Sequence, residues 1–282
     1  MKSSIRIPER TKRKVSPLRL KTENHMENKK PTGKIITFLN SKGGVAKTTT
    51  TISVGAALAA KGYKVLLLDF DPQCSLTKVF GPDPSQIEFT TFDILTNPAK
   101  TTKFLKVREN LFLIPSEINM SASDMILSGK YERERLLSKF TERQRPRFDY
   151  ILVDCPPNLG ILAINALLAC DHLLVPISPD MMSMDALGVL KNILEMIADI
   201  RKIEPTGIII TRYDTRTTQS RDIATAIQMD NGEKVFQTVI RQNVDISKAP
   251  TFHKTIFEYN PTSTGAADYL ALTEEILSRI QN

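Results

Sequence analysis

The chain passes from a short apolar run through a glycine-containing turn into an amphipathic segment over Ile35-Ile36-Thr37-Phe38-Leu39-Asn40-Ser41-Lys42-Gly43-Gly44-Val45-Ala46-Lys47-Thr48-Thr49. The apolar run is typical of a buried strand, and the segment after the turn has helical spacing. A strand that enters such a turn and then a helix leaves several backbone N–H groups unpaired and aimed at one point. This order of elements predicts a loop that binds a chain of phosphates.

Short apolar runs alternate with longer amphipathic stretches along the rest of the chain. Buried strands are predicted at 35–39, 65–68, 111–114, 150–153, 173–177, 207–211 and 235–240. Helices are predicted at 49–60, 124–140, 159–169, 183–203, 221–228 and 268–280. Strands rich in Val, Ile and Leu that are separated by helices favour a parallel sheet covered on both faces. We therefore expect an α/β fold with a doubly wound, mostly parallel sheet.

Composition excludes several classes of protein. The 282 residues are 41% hydrophobic and 24% charged, which is typical of globular proteins and not of disordered chains. No apolar run approaches the roughly 20 residues that a membrane-spanning helix needs. Three cysteines without CxxC spacing argue against a disulfide framework or a structural zinc site, and we expect a cytoplasmic protein.

The basic charge is concentrated at the start of the chain. Residues 1–34 hold eleven Lys or Arg and three Glu, a formal charge of +8, whereas the remainder holds 27 basic and 28 acidic residues. We predict a flexible basic extension over 1–33 and one folded domain over 34–282. The extension is expected to bind nucleic-acid phosphates. The alternative is a solvated tail, with a second translation start at Met26.

The glycine turn carries two residues suited to bind a nucleotide. Lys47 is expected to reach the β and γ phosphates, and the hydroxyl of Thr48 to ligate Mg²⁺. Ala46 replaces the glycine that usually precedes this lysine, and we expect Ala46 to have a negative φ because its backbone N–H must face the phosphates. The alternative is an ordinary glycine turn before a helix.

The segment Lys42 to Thr49 resembles the deviant Walker A loop of the ParA and MinD family of ATPases, Lys-Gly-Gly-x-x-Lys-Thr-Thr. The resemblance implies a P-loop ATPase with ATP and Mg²⁺ as cofactors, and slow hydrolysis that a partner stimulates. It makes Lys42 a signature lysine, which contacts the partner's phosphates in an ATP-bound homodimer; the alternative is a solvent-facing Lys42. The implied nucleotide-binding residues are Lys42, Gly43, Gly44, Val45, Ala46, Lys47, Thr48 and Thr49.

Three aspartates follow two of the predicted strands. Asp69 and Asp71 belong to a segment that matches the family's Asp-x-Asp-Pro-Gln, and Asp154 resembles a Walker B aspartate. The resemblance implies that Asp71 orients the attacking water, that Asp69 supports the magnesium shell and that Asp154 holds Mg²⁺ through water. Carboxyl ends of parallel strands border the crevice where α/β sheets bind ligands, which suits these roles. Helix capping or turn formation is the alternative for each.

The last third resembles the partition-protein branch of the family at Thr211–Thr217, Val239–Val244, Lys248–Pro250 and Pro261–Ala266. In that branch Asn243 lies where adenine is contacted, and Arg216 matches an arginine that binds DNA without sequence preference. Gln242 and Asp245 replace basic residues of the usual pattern, so we expect weaker DNA binding by the folded domain. The candidate DNA-binding residues are Arg216, Arg221, Arg241, Lys248 and Lys254.

The resemblance implies a DNA-partitioning ATPase of the nucleoid. An ATP-bound dimer would bind DNA nonspecifically, and a ParB-like centromere-binding protein would stimulate hydrolysis to position plasmid or chromosome cargo. The alternative is a MinD-like positioning ATPase that acts on a membrane or another cargo. Such proteins end in a basic amphipathic helix, whereas the C-terminal segment here reads Ser278-Arg279-Ile280-Gln281-Asn282, so we expect no membrane binding. A metabolic P-loop enzyme is a third possibility.

Overall fold

The computed structural model describes residues 33–281, and the predictions for the basic extension therefore lie outside the described residues except at Gly33. Seven strands form one sheet. They are β1 (Lys34–Phe38), β2 (Val65–Asp69), β3 (Leu105–Arg108), β4 (Leu111–Ile114), β5 (Tyr150–Asp154), β6 (His172–Ile177) and β7 (Pro205–Ile210).

The sheet has the order β3-β4-β2-β5-β1-β6-β7. Strand β1 lies between β5 and β6, with Ile35 opposite Ile151 and Ile36 opposite His172. All neighbouring strands are parallel except the edge pair β3 and β4. The predicted doubly wound, mostly parallel sheet is confirmed.

Eleven α-helices occur within the described residues. They are α1 (Lys47–Ala60), α2 (Ser75–Phe80), α3 (Thr91–Thr96), α4 (Ser123–Ile126), α5 (Leu136–Gln144), α6 (Ile161–Ala169), α7 (Met181–Met196), α8 (Thr218–Asn231), α9 (Val244–Lys248), α10 (Ile256–Tyr259) and α11 (Thr264–Gln281). None of these helices combines the length and the hydropathy needed to cross a membrane.

Two apolar cores cover the two faces of the sheet. Adjacent residues of a strand point to opposite faces, so Ile35 belongs to one core and Ile36 to the other. Helices α5, α6, α7 and α8 contribute to the core around Ile35. Helices α1, α2, α10 and α11 contribute to the core around Ile36. This two-sided burial explains why the central strands read as nearly continuous apolar runs.

The strand predicted at 235–240 is wrong. This segment runs beside β7 but makes only scattered backbone bonds to it, from Phe236 N to Ile208 O and from Ile240 N to Ile210 O, both within 2.9 Å. Between them, the carboxylate of Glu275 accepts hydrogen bonds from the amides of Gln237 and Thr238. The backbone N–H groups that a continuous ladder would need therefore donate to a side chain of α11 instead.

The single helix predicted at 124–140 is also wrong. The chain breaks between α4 and α5, where Glu132 has a left-handed φ of 52°. The buried side chain of Asn165 accepts a hydrogen bond from Leu137 N and donates one to Arg133 O, which fixes the turn before α5. Both contacts join residues that are far apart in the sequence, so a local pattern could not predict the break.

One further prediction needs correction, and one strand was missed. The helix predicted at 183–203 begins at Met181 and ends at Met196, because the amides of Ala198 and Ile200 close tight turns after it. The antiparallel edge strand β3 was not predicted. Its four residues are at most half-buried and carry two charges, so they lack the apolar signal of the central strands.

Candidate functional site

The glycine turn lies at the carboxyl end of the central strand β1 and leads into α1. Buried Asn40 holds the first part of the turn, since its Nδ2 donates to Pro176 O at 2.8 Å and its Oδ1 accepts from Lys42 N at 2.9 Å. Gly44 has a φ of +74°, a conformation that glycine adopts without steric cost. The turn is thereby held against β6 with its glycines exposed.

Ala46 has a φ of 63°, and the expectation of a negative φ is therefore wrong. The residue is the N-cap of α1 in the left-handed region, and its carbonyl accepts the first helical bond, from Thr50 N at 2.9 Å. A non-glycine residue in this region costs on the order of 1 kcal/mol or more. Ala46 thus keeps the loop geometry that glycine would give, at the expense of local strain.

Lys47 is buried directly beneath the turn. Its Nζ donates to the backbone oxygen of Lys42 at 3.0 Å, so the side chain folds back along the inside of the loop. Burial lowers the pKa of Lys47, and attraction to Asp154 and Asp71 opposes this effect. A partly desolvated ammonium at this position is suited to bind the oxygens of a phosphate chain.

Asp69 and Asp71 lie at the carboxyl end of β2. Asp69 is fully buried and accepts hydrogen bonds from Thr77 N, Thr77 Oγ1 and Asp71 N, at 2.8, 2.6 and 3.2 Å. Burial raises the pKa of Asp69 to about 6. Asp71 Oδ1 accepts from Gln73 N at 2.9 Å, and the carboxylate borders the open space beyond the turn.

Asp154 ends β5 beside the turn and is completely buried. Its Oδ2 has no hydrogen-bond partner among the described residues, and its Oδ1 has only a long contact of 3.5 Å with Thr51 Oγ1. Burial, followed by repulsion from Asp69, raises the pKa of Asp154, and the nearby hydroxyl of Thr48 opposes the rise. An orphaned carboxylate oxygen next to a threonine hydroxyl fits a hydrated Mg²⁺.

A metal ion here would need ligands besides protein carboxylates. No group of three or more His, Cys, Asp or Glu side chains within residues 33–281 is arranged to hold a metal ion. Mg²⁺ commonly binds through one or two protein groups together with substrate phosphates and water. Thr48 and Asp154 would therefore hold the ion jointly with the phosphates.

A cavity of about 690 Å³ extends from the turn towards the C-terminal third of the chain. That volume lies within the range of small-molecule and cofactor sites. Among the predicted nucleotide and catalytic residues, those that line it are Gly43, Gly44, Ala46, Lys47, Thr48, Thr49, Asp71 and Asn243. Val45 is buried behind the loop.

Comparisons with known proteins show the family of this chain. The family model described as AAA domain (AAA_31) matches residues 33–206. The sporulation initiation inhibitor protein Soj of Bacillus subtilis is 36% identical over 248 residues, which cover 86% of this chain and 98% of that protein. The chromosome-partitioning ATPase Soj of Treponema pallidum is 35% identical over 251 residues, which cover 88% of this chain and 98% of that protein. The chain is a ParA-type ATPase of the ParA/MinD family.

A solved structure supports the cofactors of this ParA-type ATPase. Cobyrinic acid a,c-diamide synthase from Mycobacterium smegmatis, with a bound ATP analogue and magnesium, has a TM-score of 0.74 and 28% identity, covering 88% of this chain and 96% of that chain. In this chain, the buried Lys47, the hydroxyl of Thr48 and the orphaned oxygen of Asp154 fit ATP and Mg²⁺. Bound Mg²⁺ supplies positive charge that offsets the charge on the transferring phosphoryl group.

Lys42 lies outside the main cavity of the ParA-type ATPase. Its Nζ forms an ion pair with Asp180, at the start of α7, and is 3.4 Å from Ser183 Oγ. Burial acts to raise the pKa of Asp180, but hydrogen bonds from Lys42, Ser178 and Ser183 outweigh it and lower the pKa. In this structure the signature lysine is therefore bound within its own chain.

Asn243, predicted to contact adenine, has a structural role in this ParA-type ATPase. It is the N-cap of α9, where its Oδ1 accepts from Asp245 N at 2.7 Å and Ile246 N at 3.3 Å. Its Nδ2 donates to Thr264 Oγ1 at 2.8 Å. Asn243 borders the cavity, and its contact with the base stays a prediction.

The five candidate DNA-binding residues differ in their exposure and in their partners within the chain. Arg216, Arg221 and Lys248 are exposed, and Arg216 is hydrogen-bonded to Asp214 through Nε and NH2. Lys254 is also exposed but lines the nucleotide cavity. Arg241 makes a bidentate ion pair with Asp268, which is 6% exposed. Arg241 thus has an internal partner, which makes its guanidinium less available to DNA phosphates.

Two residues of the ParA-type site were not predicted, Asp180 and Arg212. Each follows the carboxyl end of a strand, β6 and β7 respectively, on the edge where Asp71 and Asp154 lie. The rule that pointed to the aspartates after β2 and β5 could have identified both. Arg212 donates from NH1 to Gly44 O at 2.8 Å and so contacts the phosphate-binding loop directly.

Proposed function

We propose that this chain is a DNA-partitioning ATPase whose ATP-bound homodimer binds DNA nonspecifically. The observation that carries the proposal is the placement of two lysines on one loop. Lys47 is buried beneath the loop, whereas Lys42 lies at its outer edge with 23% of its side chain exposed. A lysine at the outer edge is placed to reach a second copy of the chain, where it would stabilise charge on the partner's phosphates.

Only a few groups of this site take part in the proposed hydrolysis. Lys47 and the backbone N–H groups of the loop bind the phosphates, and Asp71 orients the attacking water. Positioning and electrostatic stabilisation account for most of the catalysis of phosphoryl transfer. Hydrolysis is therefore expected to stay slow until a partner protein orders the site. We propose a ParB-like centromere-binding protein for that role, with plasmid or chromosome DNA as cargo.

The DNA surface is assigned to Arg216, Arg221 and Lys248, together with the basic extension over 1–33. Each phosphate contact contributes about one unit to the salt dependence of log affinity. Asp245, which occupies a usual basic position, accepts a hydrogen bond from Asn260 Nδ2 at 2.8 Å. The proposed surface of the folded domain thus has only three assigned cations, and the charge of +8 over residues 1–34 adds to them.

DNA and lipid cosedimentation with ATP, with ADP and without nucleotide tests the proposed function. We expect ATP-dependent sedimentation with random-sequence DNA and none with anionic vesicles. Arg216→Ala should weaken DNA binding and lower its salt dependence, whereas Arg143→Ala, an exposed arginine of α5, should not. Binding to vesicles alone would favour the MinD-like alternative and overturn the proposal.

A second experiment tests the role of Asp71. Asp71→Ala should lower the hydrolysis rate by roughly 10²–10³-fold and accumulate as a dimer that retains ATP, because water is no longer oriented while the phosphate contacts remain. Asp222→Ala, an exposed residue of α8, serves as the control. Light scattering measures the dimer, and analysis of the bound nucleotide measures the retained ATP. An ATPase assay measures the hydrolysis rate, and hydrolysis at the wild-type rate would refute the assignment.

A further inference from the structure

Two consecutive residues after β7 hold two consecutive carbonyls of the phosphate-binding loop. Thr211 Oγ1 donates to Val45 O at 3.0 Å, and Arg212 NH1 donates to Gly44 O at 2.8 Å. Thr211 is completely buried, whereas Arg212 is exposed. The loop is therefore attached through these two carbonyls to the carboxyl end of β7.

Arg212 adopts a left-handed backbone conformation with a φ of 51°. This region is unfavourable for an arginine and persists only where the surroundings determine it. The neighbours supply that constraint. Thr211 N donates to Ile177 O at 2.8 Å, and buried Tyr213 donates from its N to Ile240 O at 2.9 Å. The constrained backbone directs the guanidinium towards Gly44.

The contact has an electrostatic consequence for phosphate binding. A cation on the Gly44 carbonyl polarises the peptide that continues into the N–H of Val45, which makes that N–H a stronger donor. A guanidinium has five N–H donors, and the contact with Gly44 uses one of them. The side chain also borders both the nucleotide cavity and an adjacent crevice of about 320 Å³ that contains Lys42 and Asp180.

We infer that Arg212 is a positioning residue for ATP binding, which acts by clamping the Gly44 carbonyl so that the loop keeps its phosphate-binding conformation. The inference rests on ATP binding by the family and not on the proposed DNA cycle. It gives a residue of the C-terminal third a part in nucleotide affinity, through the phosphate-binding loop. The strained backbone is retained because it directs the clamp.

Binding of a fluorescent ADP with Mg²⁺, in the absence of DNA, tests the inference on the full chain. Arg212→Met should weaken binding by about tenfold, the loss expected for one charge-assisted hydrogen bond. The KM for ATP should rise in the same proportion, with little change in kcat. Arg212→Lys, which keeps a charged donor, should recover most of the affinity, and Arg143→Met should bind as wild type does.

A glycine variant separates positioning from simple structural support. Arg212→Gly relieves the left-handed strain, so its melting temperature without nucleotide should be no lower than that of wild type, while its affinity for nucleotide falls as in Arg212→Met. Unchanged affinity in both variants overturns the inference. A loss of affinity that Arg212→Lys fails to recover also overturns it, as does a loss that merely follows a lower melting temperature of the nucleotide-free protein.

Discussion

Lys42 and Asp180 form an ion pair that joins the loop after β1 to the start of α7. The pair lies next to Gly43 and Gly44, on the side of the loop away from the main cavity. In the proposed dimer Lys42 contacts the partner's phosphates, so its ion pair within the chain must break or rearrange before the dimer closes. The contact with Asp180 therefore opposes dimerisation.

Asp180→Asn is expected to raise the dimer fraction a few-fold in the presence of a nonhydrolysable ATP analogue. The pair is partly exposed, and such pairs contribute only about 0–1 kcal/mol, which limits the size of the effect. Light scattering across a range of protein concentrations measures it. Glu195→Gln, which breaks the exposed pair of Lys191 and Glu195 on the same helix, is the control. A lower dimer fraction in Asp180→Asn would show that Asp180 supports the dimer instead.

Arg241→Ala is expected to destabilise the protein by about 2 kcal/mol, because it leaves the buried carboxylate of Asp268 without its partner. Arg216→Ala, whose side chain is 81% exposed, should change the free energy of unfolding by less than about 0.5 kcal/mol. Urea unfolding of both variants gives the comparison. Equal stability of the two would contradict the internal role of Arg241.

Ala46→Gly is expected to raise the free energy of unfolding by about 0.5–1 kcal/mol, because glycine adopts the left-handed φ of 63° without strain. Ala56→Gly, in the interior of the same helix, should instead lower it by about 1 kcal/mol. Thermal unfolding without nucleotide distinguishes the two. Destabilisation by Ala46→Gly would argue against strain at this position.

Asp171→Asn is expected to destabilise the protein at neutral pH but not in acid. Burial acts to raise the pKa of Asp171, but hydrogen bonds from Arg145 and from Ile35 N outweigh it, and the pKa lies below its usual value. The carboxylate therefore stabilises the fold above about pH 4, and this contribution is lost as the pH falls through the lowered pKa.

Urea unfolding at several pH values from 7 to 3 measures the effect of Asp171→Asn. The difference from wild type should be about 1–2 kcal/mol at pH 7 and should shrink towards pH 3. Asp222→Asn on α8 is the control for a change of net charge. A difference that does not depend on pH would contradict the role of the carboxylate charge.

Local patterns predicted much of the fold and of the nucleotide site. The strand, glycine turn and Lys-Thr pair lie within fifteen residues, and the central strands are apolar on both faces, so their signals did not depend on the rest of the chain. The sign of φ at Ala46 was predicted wrongly, because the pattern of residue types in the loop does not specify a backbone angle. The surrounding structure, and not the preference of an alanine, holds this conformation.

Contacts between distant residues account for what could not be predicted. Asp180 lies 138 residues from Lys42, and Arg212 lies 168 residues from Gly44. The sheet order, which places β6 beside β1 and β7 beside β6, brings them together. Likewise, Glu275 of α11 interrupts the strand predicted at 235–240, and it lies 38 residues along the chain from Gln237.

Mixing two inactive variants tests the central claim most directly. A Lys42→Ala subunit lacks the lysine that it would give to its partner, and an Asp71→Ala subunit lacks the aspartate of its own site. If Lys42 acts across the dimer, a mixed dimer contains one complete site, and ATP hydrolysis should reappear on mixing. Mixtures that stay as inactive as the separate variants, despite demonstrated mixed dimers, would contradict the claim that Lys42 serves the partner's nucleotide.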